Sequence, residues 1–194
     1  MSTSIRPAAV ADIPHLAHAL MEASGGLVEA VYDGVIPGRS ANVIVEHLFS
    51  RSGATTAFSN CMVAENDESV LGSVHAFPMD AMGDGPPDPL APDDRLYVYA
   101  PFMAMHADGS YYVMALAVYP EFQGAGVGKR LMAEVEAAAK TKGFKEMSLN
   151  VFAENRGAVR LYQSLGYKES ARAPAVAHEK IRYGGDILLM TRAL

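Results

Sequence analysis

The chain has 194 residues, 50% of them hydrophobic, and a formal net charge of −6 at pH 7. This length and composition suit one domain with a packed core, and the acidic balance argues against a nucleic-acid-binding surface, which needs clustered Lys and Arg. A single cysteine, Cys61, excludes an intramolecular disulfide and a cysteine-based zinc site, and it is typical of a protein in a reducing cytoplasm.

The N-terminal region predicts a short strand followed by a helix. Residues 4–8 have the pattern of a strand, and Asp12 can cap a helix that carries on one face Ile13, Leu16 and Leu20. Two prolines, an aspartate and a histidine interrupt this stretch, so neither a signal peptide nor a membrane segment is expected. We therefore expect a cytoplasmic protein without a membrane partner.

The next segments predict a second helix and a strand pair. Residues 40–49 have a helical pattern, and the glycine-rich residues 24–38 before them predict a mobile connection that could line a substrate entrance. Segments 55–65 and 70–77 are rich in β-forming residues, and residues 66–69 between them have the composition of a hairpin turn. An antiparallel pair is therefore expected early in the sheet.

The regular pattern stops over residues 78–108, which we interpret as an insertion made mostly of loop. Six of the eleven prolines fall here, and only residues 96–105 are apolar enough to pack against the domain. Five aspartates lie over residues 80–94 of the insertion and either form a solvated loop or attract a cationic amine: Asp80, Asp84, Asp88, Asp93 and Asp94.

The second half of the chain predicts strands and helices in alternation. An apolar strand over residues 111–119 leads into a helix over residues 126–142, and residues 147–152 alternate as another strand. Asn155 can cap a further helix, which Gly166 ends. The tail predicts a hairpin with its turn at residues 183–186.

Residues 123–130 (QGAGVGKR) place three glycines between a strand and a helix, where backbone N–H groups commonly face phosphate. A P-loop is a poor match, because Gln123 stands where its first glycine belongs and Arg130 where its hydroxyl residue belongs. A dinucleotide-binding loop is also poor, because its third glycine falls on Lys129. The remaining pattern is Gln, two residues, Gly, one residue, Gly, formed by Gln123, Gly126 and Gly128.

This pattern resembles the acetyl-CoA pyrophosphate loop of the GCN5-related N-acetyltransferase (GNAT) superfamily. The likeness includes residues 119–122 (YPEF) before the loop and residues 150–167 (NVFAENRGAVRLYQSLGY) after it, and it covers roughly residues 111–194. It implies a single domain over residues 1–194 with a mixed α/β (α+β) fold. In that fold a mostly antiparallel, twisted sheet of about seven strands is flanked by about four helices. The insertion at residues 78–108 departs from the family's usual short link.

The resemblance also implies which residues contact acetyl-CoA. They comprise the end of a strand, whose backbone would pair with the pantetheine arm, the glycine loop, and two residues of the following helix: Leu116, Ala117, Val118, Gln123, Gly124, Ala125, Gly126, Val127, Gly128, Lys129, Asn155 and Tyr162. Asn155 and Tyr162 are seven residues apart, about two helical turns, so they share one face. By spacing alone Asn155 is equally a simple cap, and Tyr162 fits a core aromatic.

The implied activity is acetyl-CoA-dependent N-acetylation of a primary amine by direct attack on the thioester. Tyr162 is the expected catalytic residue, because in the family a tyrosine at this position protonates the leaving thiolate. An aliphatic amine is mostly protonated at neutral pH, so a base must deprotonate it. The sequence does not identify this base and leaves four candidates: Glu121, Tyr112, His75 and His106.

Two other functions remain open from the sequence. A module of the same fold could bind acyl-CoA as a regulatory ligand without transferring the acyl group, and an unrelated nucleotide-binding enzyme is a third interpretation.

The acceptor could be a small molecule or a peptide amine. The six histidines lack metal-ligand spacing, so no metal is expected. A homodimer is typical of the superfamily, and residues 96–105 could supply its surface.

Overall fold

The computed structural model describes residues 3–83 and 88–194. Within these residues the chain forms one sheet with seven strands: β1 (Ser4–Pro7), β2 (Cys61–Glu65), β3 (Val70–Pro78), β4 (Tyr111–Val118), β5 (Glu146–Phe152), β6 (Lys168–Pro174) and β7 (Asp186–Ala193). The same residues form six α-helices: α1 (Ile13–Ala23), α2 (Leu27–Tyr32), α3 (Ala41–Ser50), α4 (Ala100–Ala104), α5 (Val127–Thr141) and α6 (Arg156–Ser164).

The strands lie in the order β1-β2-β3-β4-β5-β7-β6. Strands β4 and β5 run parallel and are joined through α5, because a parallel pair needs a crossover connection. The other neighbouring pairs in the described sheet are antiparallel. Helices α1, α3, α5 and α6 are longer than α2 and α4. The mixed α/β fold with a mostly antiparallel seven-stranded sheet, which the sequence predicts, is confirmed.

Strand β4 leaves its parallel partner soon after the two strands meet. The register joins Tyr111 to Met147 and Val113 to Leu149, and no later residue of β4 pairs with β5 in the described sheet. Between β3 and β4 the register shifts at the same point, so that Met114 has no partner opposite it. A bulge of this kind bends a strand and increases its twist. The extra residue therefore opens a wedge between β4 and β5.

The bulge also reverses which face of the sheet the β4 side chains occupy. Before it, Tyr111 and Val113 pack in the core beneath α5. After it, Leu116 and Val118 pack against that core, whereas Ala115 joins the core beneath α1. Because side chains alternate along a strand, one inserted residue places Leu116 and Val118 on the α5 side, where Ala115 and Ala117 would otherwise lie.

Two hydrophobic cores cover the two faces of the sheet. Helices α1, α2 and α3 bury one side against the sheet through residues such as Leu16, Val31 and Ile44. Helix α5 covers the other face with Leu131 and Val135, as its helical spacing predicts. None of the helices in residues 3–83 and 88–194 is long and apolar enough to cross a membrane.

The prediction of a mobile connection over residues 24–38 was wrong at its centre, where the short helix α2 lies. Gly26 begins this helix in the left-handed region, with φ at 99°. The helix then buries nearly all of its side chains in the core beneath α1. The sequence pattern does not reveal this helix, because its leading glycines are typical of a turn and the helix is stabilised by the packing of the apolar residues after them.

Two other segments also differ from their predicted bounds. The strand expected over residues 55–65 begins only at Cys61, because Asn60 Nδ2 donates to the carbonyls of Ala54 and Thr55 and holds a compact turn ahead of it. The final hairpin does pair β6 with β7, but the whole of residues 175–185 connects them rather than a four-residue turn. The turn at residues 66–69 is confirmed, since Asn66 N donates to Ser69 O at 3.0 Å.

The insertion over residues 78–108 holds short helical segments in addition to loop. Residues Asp93–Tyr99 form a 3-10 helix that runs into α4, and Val98 is buried in the core beneath α1. The hydroxyl of Tyr32 donates to Asp88 at 2.5 Å and ties the insertion to α2. On the predicted dimer surface, Tyr97 and Met103 are each 52% exposed. Asp84 lies outside the described residues.

The β6–β7 connection lies very close to the turn between α1 and α2, and glycine substitutions in and near this turn can test that approach. A Cβ added to Gly26 would lie 1.9 Å from the carbonyl oxygen of Lys180, whereas one added to Gly38 would meet no atom within 4 Å. Both glycines have positive φ, so Gly38→Ala should lower the free energy of unfolding by about 1–2 kcal/mol from backbone strain alone. Gly26→Ala should lower it by a further ~1–3 kcal/mol. Urea denaturation measures both, and equal losses would contradict the close approach.

Candidate functional site

A cavity of about 440 Å³, which we call the wedge cavity, lies at the end of β4, beyond the point where this strand stops pairing with β5. Ten of the residues predicted from the sequence line it: Leu116, Val118, Gln123, Gly124, Gly126, Val127, Gly128, Lys129, Asn155 and Tyr162. The structure thus brings together the strand end, the glycine loop and the face of α6. Of the remaining predicted residues, Ala117 faces the opposite side of the sheet and Ala125 is exposed outside the cavity lining.

The glycine loop has the conformation that close approach of a ligand to backbone requires. Gly124 and Gly126 have φ values of 78° and 82°, and a Cβ added to either would meet no atom within 4 Å, so open space lies beside both. Gly126 is the N-cap of α5, whose first turn leaves backbone N–H groups without helical partners. A helix N-terminus also carries about half a positive charge, so this end of the wedge cavity is suited to phosphate.

The polar side chains of the loop have different roles. Gln123 lines the wedge cavity, and its Nε2 donates to the carbonyl of Val118 at 3.0 Å, which ties the loop to the end of β4. Lys129 lines the cavity in the first turn of α5. The guanidinium of Arg130 donates instead to the carbonyl of Thr3, away from the loop. Lys129 is therefore the basic side chain of this turn that an anion in the wedge cavity would meet.

Helix α6 supplies the other wall of the wedge cavity. Its N-cap is Asn155, whose Oδ1 accepts from Ala158 N at 3.2 Å, so the capping role predicted from sequence is present. Tyr162 is 7% exposed and lines the cavity, and its hydroxyl makes no hydrogen bond to a described residue. Burial raises the pKa of Tyr162 to about 12. Its hydroxyl therefore keeps its proton at neutral pH and can donate it.

The end of β4 offers unpaired backbone to the wedge. From Ala115 to Val118 this strand pairs with β3 on one side only, and Met114 pairs with neither neighbouring strand, within the described sheet. Gly72 of β3 approaches it closely, since an added Cβ would lie 2.5 Å from the carbonyl oxygen of Ala117. An extended ligand can add to such an open strand edge by backbone hydrogen bonds.

A second cavity of about 630 Å³ lies on the opposite side of β4, and we call it the α1 cavity. It is lined by α1, by β3, by the end of β4 and by Tyr183 of the β6–β7 connection. Four residues line both cavities: Leu116, Val118, Gln123 and Asn155. The two cavities therefore adjoin at the end of β4, which separates them.

The α1 cavity contains polar residues that no sequence motif indicates. His15, His18 and Glu22 line it from α1, and Tyr119 lines it from the residue after β4. The positions 15, 18 and 22 are spaced three and four residues apart, which places them on one helix face. That spacing is the sequence feature that indicates a shared polar face, but these three residues match no known motif.

None of the four candidate bases lines either cavity. His75 and Tyr112 are buried in the sheet. Nε2 of His106 lies 3.1 Å from a carboxylate oxygen of Asp108 in the insertion, and Glu121 is exposed to solvent. Among the insertion aspartates, Asp80 accepts from Gly109 N, Asp88 accepts from Tyr32, and Asp93 and Asp94 are exposed. These described aspartates also lie outside the cavity linings.

Solved structures with this fold are acetyltransferases by name. One is a GCN5-related N-acetyltransferase from Kribbella flavida, with a TM-score of 0.63, 24% identity, and coverage of 99% of this chain and 98% of that one. Another is a polyamine N acetyltransferase from Drosophila melanogaster, with a TM-score of 0.62, 18% identity and full coverage of both chains. At this identity the likeness establishes the fold.

The sequence profile of the acetyltransferase (GNAT) family matches residues 39–167, more than half of the chain. The chain therefore belongs to the acetyltransferase (GNAT) family.

Curated relatives match parts of the chain. Human N-acetyltransferase 8B is 31% identical over 111 residues, which are 57% of this chain and 39% of that protein. The [ribosomal protein bS18]-alanine N-acetyltransferase of Salmonella typhimurium is 32% identical over 81 residues, which are 42% of this chain and 53% of that protein. The chain thus spans about half or less of the length of these relatives.

His75 gives the fold a dependence on pH that an exposed histidine would not. Burial lowers the pKa of His75 to about 4, although a hydrogen bond to the carbonyl of Thr55 opposes the shift. Below pH 6.5 the unfolded chain binds a proton at this position that the folded chain does not bind. The contribution of neutral His75 to the free energy of unfolding is therefore fully present above about pH 6.5 and is lost as the pH drops toward 4.

Between pH 7 and pH 4.5 the free energy of unfolding should fall by roughly 2–3 kcal/mol less in His75→Gln than in the wild-type protein. Urea denaturation at the two pH values measures this, and His47→Gln, at an exposed position on α3, is the control. An unchanged pH dependence in His75→Gln would contradict the assignment.

Proposed function

We propose that this protein is an acetyl-CoA-dependent N-acetyltransferase that acts on a primary amine. The observation that carries the proposal is the wedge cavity, in which a glycine loop at a helix N-terminus, an unpaired strand edge and Tyr162 line one space. Membership of the acetyltransferase (GNAT) family supports it. The names of the relatives support acetyl transfer to nitrogen as the general reaction.

The lining of the wedge cavity fits the parts of acetyl-CoA. The positively polarised N-terminus of α5, with Gly124, Gly126 and Lys129, suits the pyrophosphate. The open edge of β4 over residues 114–118 suits the amide-containing pantetheine arm, which can pair with it as an added strand. On this assignment the thioester lies near the end of the arm, where Tyr162 lines the cavity.

The second substrate would enter from the other side of β4. The α1 cavity adjoins the wedge cavity along Leu116 and Val118, so an amine in it can approach a thioester held on β4. The amine attacks the carbonyl carbon directly, the C–N bond forms, and the C–S bond breaks. Tyr162, whose hydroxyl is protonated at neutral pH, donates its proton to the departing sulfur.

The acceptor class is a further part of the proposal. The relatives' names include a ribosomal protein alanine and polyamines as acceptors, so the family accommodates different amines. The α1 cavity has Glu22 in its lining, although this carboxylate pairs with Arg182 at 3.2 Å. A cytoplasmic location and a homodimer stay predictions from the sequence.

A transfer assay separates the proposal from its alternative. Coenzyme A release from acetyl-CoA is measured with spermidine, agmatine, tyramine, alaninamide and kanamycin, beside acetyl-CoA binding by calorimetry. Amine-dependent release is expected with at least one acceptor. Binding without release with any of them would favour the regulatory acyl-CoA module, and failure to bind acetyl-CoA would overturn the proposal.

Tyr162→Phe should lower kcat about ten- to a thousandfold while the dissociation constant for acetyl-CoA changes little, because the ring is kept and the proton donor is lost. The matched control is Tyr167→Phe, since Tyr167 is also buried, lies 5.9 Å from Tyr162 between ring centroids, and is outside both cavity linings. Turnover that falls equally in both variants, or in neither, would remove Tyr162 from the mechanism.

A further inference from the structure

His15 and Tyr119 form a hydrogen-bonded pair at the wall of the α1 cavity. The Nδ1 atom of His15 lies 2.8 Å from the hydroxyl oxygen of Tyr119, and both residues line the cavity. The ring of His18 stacks on Tyr119, with centroids 5.0 Å apart and planes 8° from parallel. Tyr119 is thus held from two sides by residues of α1. It directly follows β4, the strand that separates the two cavities.

The contact with Tyr119 leaves one nitrogen of His15 for a substrate. Nδ1 is engaged by the hydroxyl, and Nε2 has no hydrogen-bond partner within residues 3–83 and 88–194. A tyrosine hydroxyl can accept a hydrogen bond as well as donate one. When Nδ1–H donates to Tyr119, the lone pair of the ring resides on Nε2. The half-buried His15 can then present this nitrogen to the cavity.

The groups around His15 leave the imidazole as the best proton acceptor of the pair. Burial, with a smaller contribution from Glu121, raises the pKa of Tyr119, so its hydroxyl stays protonated. At the start of α1, Asp12 is hydrogen-bonded to Arg6 at 2.6 Å. Further along the helix, Glu22 pairs with Arg182 and the exposed His18 stacks on Tyr119. Imidazole is the side chain that ordinarily takes up protons between pH 5 and pH 8.

We propose that His15 is the general base that removes the proton from the acceptor amine, with Tyr119 as the positioning residue that holds it in the Nδ1–H form. This inference rests on the proposed function and adds the base that the sequence does not identify.

Protons balance over the reaction. The ammonium group of the acceptor gives one proton to Nε2 of His15, and the neutral amine attacks the thioester carbonyl. The C–N bond forms, the C–S bond breaks, and the sulfur takes a proton from Tyr162. The nitrogen then loses its second proton, which restores Tyr162 through solvent, and His15 returns its proton to solvent. The sum is one ammonium and one thioester converted to one amide, one thiol and one released proton.

The test variant is His15→Asn, whose side-chain amide can still donate to Tyr119 but has no basic nitrogen. With the acceptors named above, kcat/KM for the amine should fall about a hundredfold at pH 7. The deficit should shrink to less than about tenfold at pH 9.5, because more of the amine then arrives uncharged. Acetyl-CoA affinity should stay unchanged. His47→Asn, on the exposed side of α3 and outside both cavity linings, is the matched control.

A deficit of equal size at both pH values would overturn the proposal, since a merely structural role does not depend on the charge of the amine. So would wild-type activity in His15→Asn. If the wild-type protein binds acetyl-CoA but acetylates no amine at any pH, the proposed function itself fails, and this inference fails with it.

Nitrogen-15 NMR of the whole chain gives a readout that needs no acceptor. Neutral His15 should carry its proton on Nδ1, and Tyr119→Phe should shift the tautomer toward Nε2–H while it lowers kcat about tenfold. An Nε2–H form in the wild-type protein would overturn the proposal, because Tyr119 would then be the donor and Nε2 could not act as a base.

Discussion

Met114 is one residue more than β3 can pair with, and the rest of the site depends on that mismatch. The bulge bends β4 away from β5 after Val113, so that the sheet stays closed at one end and opens at the other. Neighbouring strands in a sheet satisfy each other's backbone groups, and the opened end leaves those of β4 without a strand partner on one side. A ligand with amides of its own can satisfy them, which is why the wedge is suited to a pantetheine arm.

On the proposed function one strand organises both substrates, because the bulge sets which side chains face each cavity. Leu116 and Val118 face the wedge, whereas Ala117 faces the α1 cavity. Gly72 permits the close approach of β3 that holds this part of β4 in place. The wedge cavity also has the positively polarised N-terminus of α5 in its lining together with a protonated Tyr162. On the proposed function the donor and the acceptor would therefore meet across one strand without a covalent enzyme intermediate.

The sequence predicted the lining of the wedge cavity far better than that of the α1 cavity, and the reason is physical. The glycine loop and residues 155–162 are short continuous stretches whose backbone geometry depends on their own residue types, as the positive φ of Gly126 and the cap at Asn155 illustrate. The α1 cavity instead joins residues as distant as His15 and Tyr183, and only the folded sheet brings them together. Helix α2 was missed for a related reason, since its two leading glycines indicate a loop while its burial depends on α1 and α3. His75, chosen as a possible base because of its residue type, is instead buried between strands.

The central claim is that the opened end of the wedge binds acetyl-CoA along β4 and at the glycine loop. Amide hydrogen exchange with and without acetyl-CoA tests it most directly, because it reports backbone groups that gain partners on binding. The account predicts slower exchange in residues 114–118 and 124–129 and no change where β5 already pairs fully with β7. Binding by calorimetry without slower exchange in those two segments would contradict it.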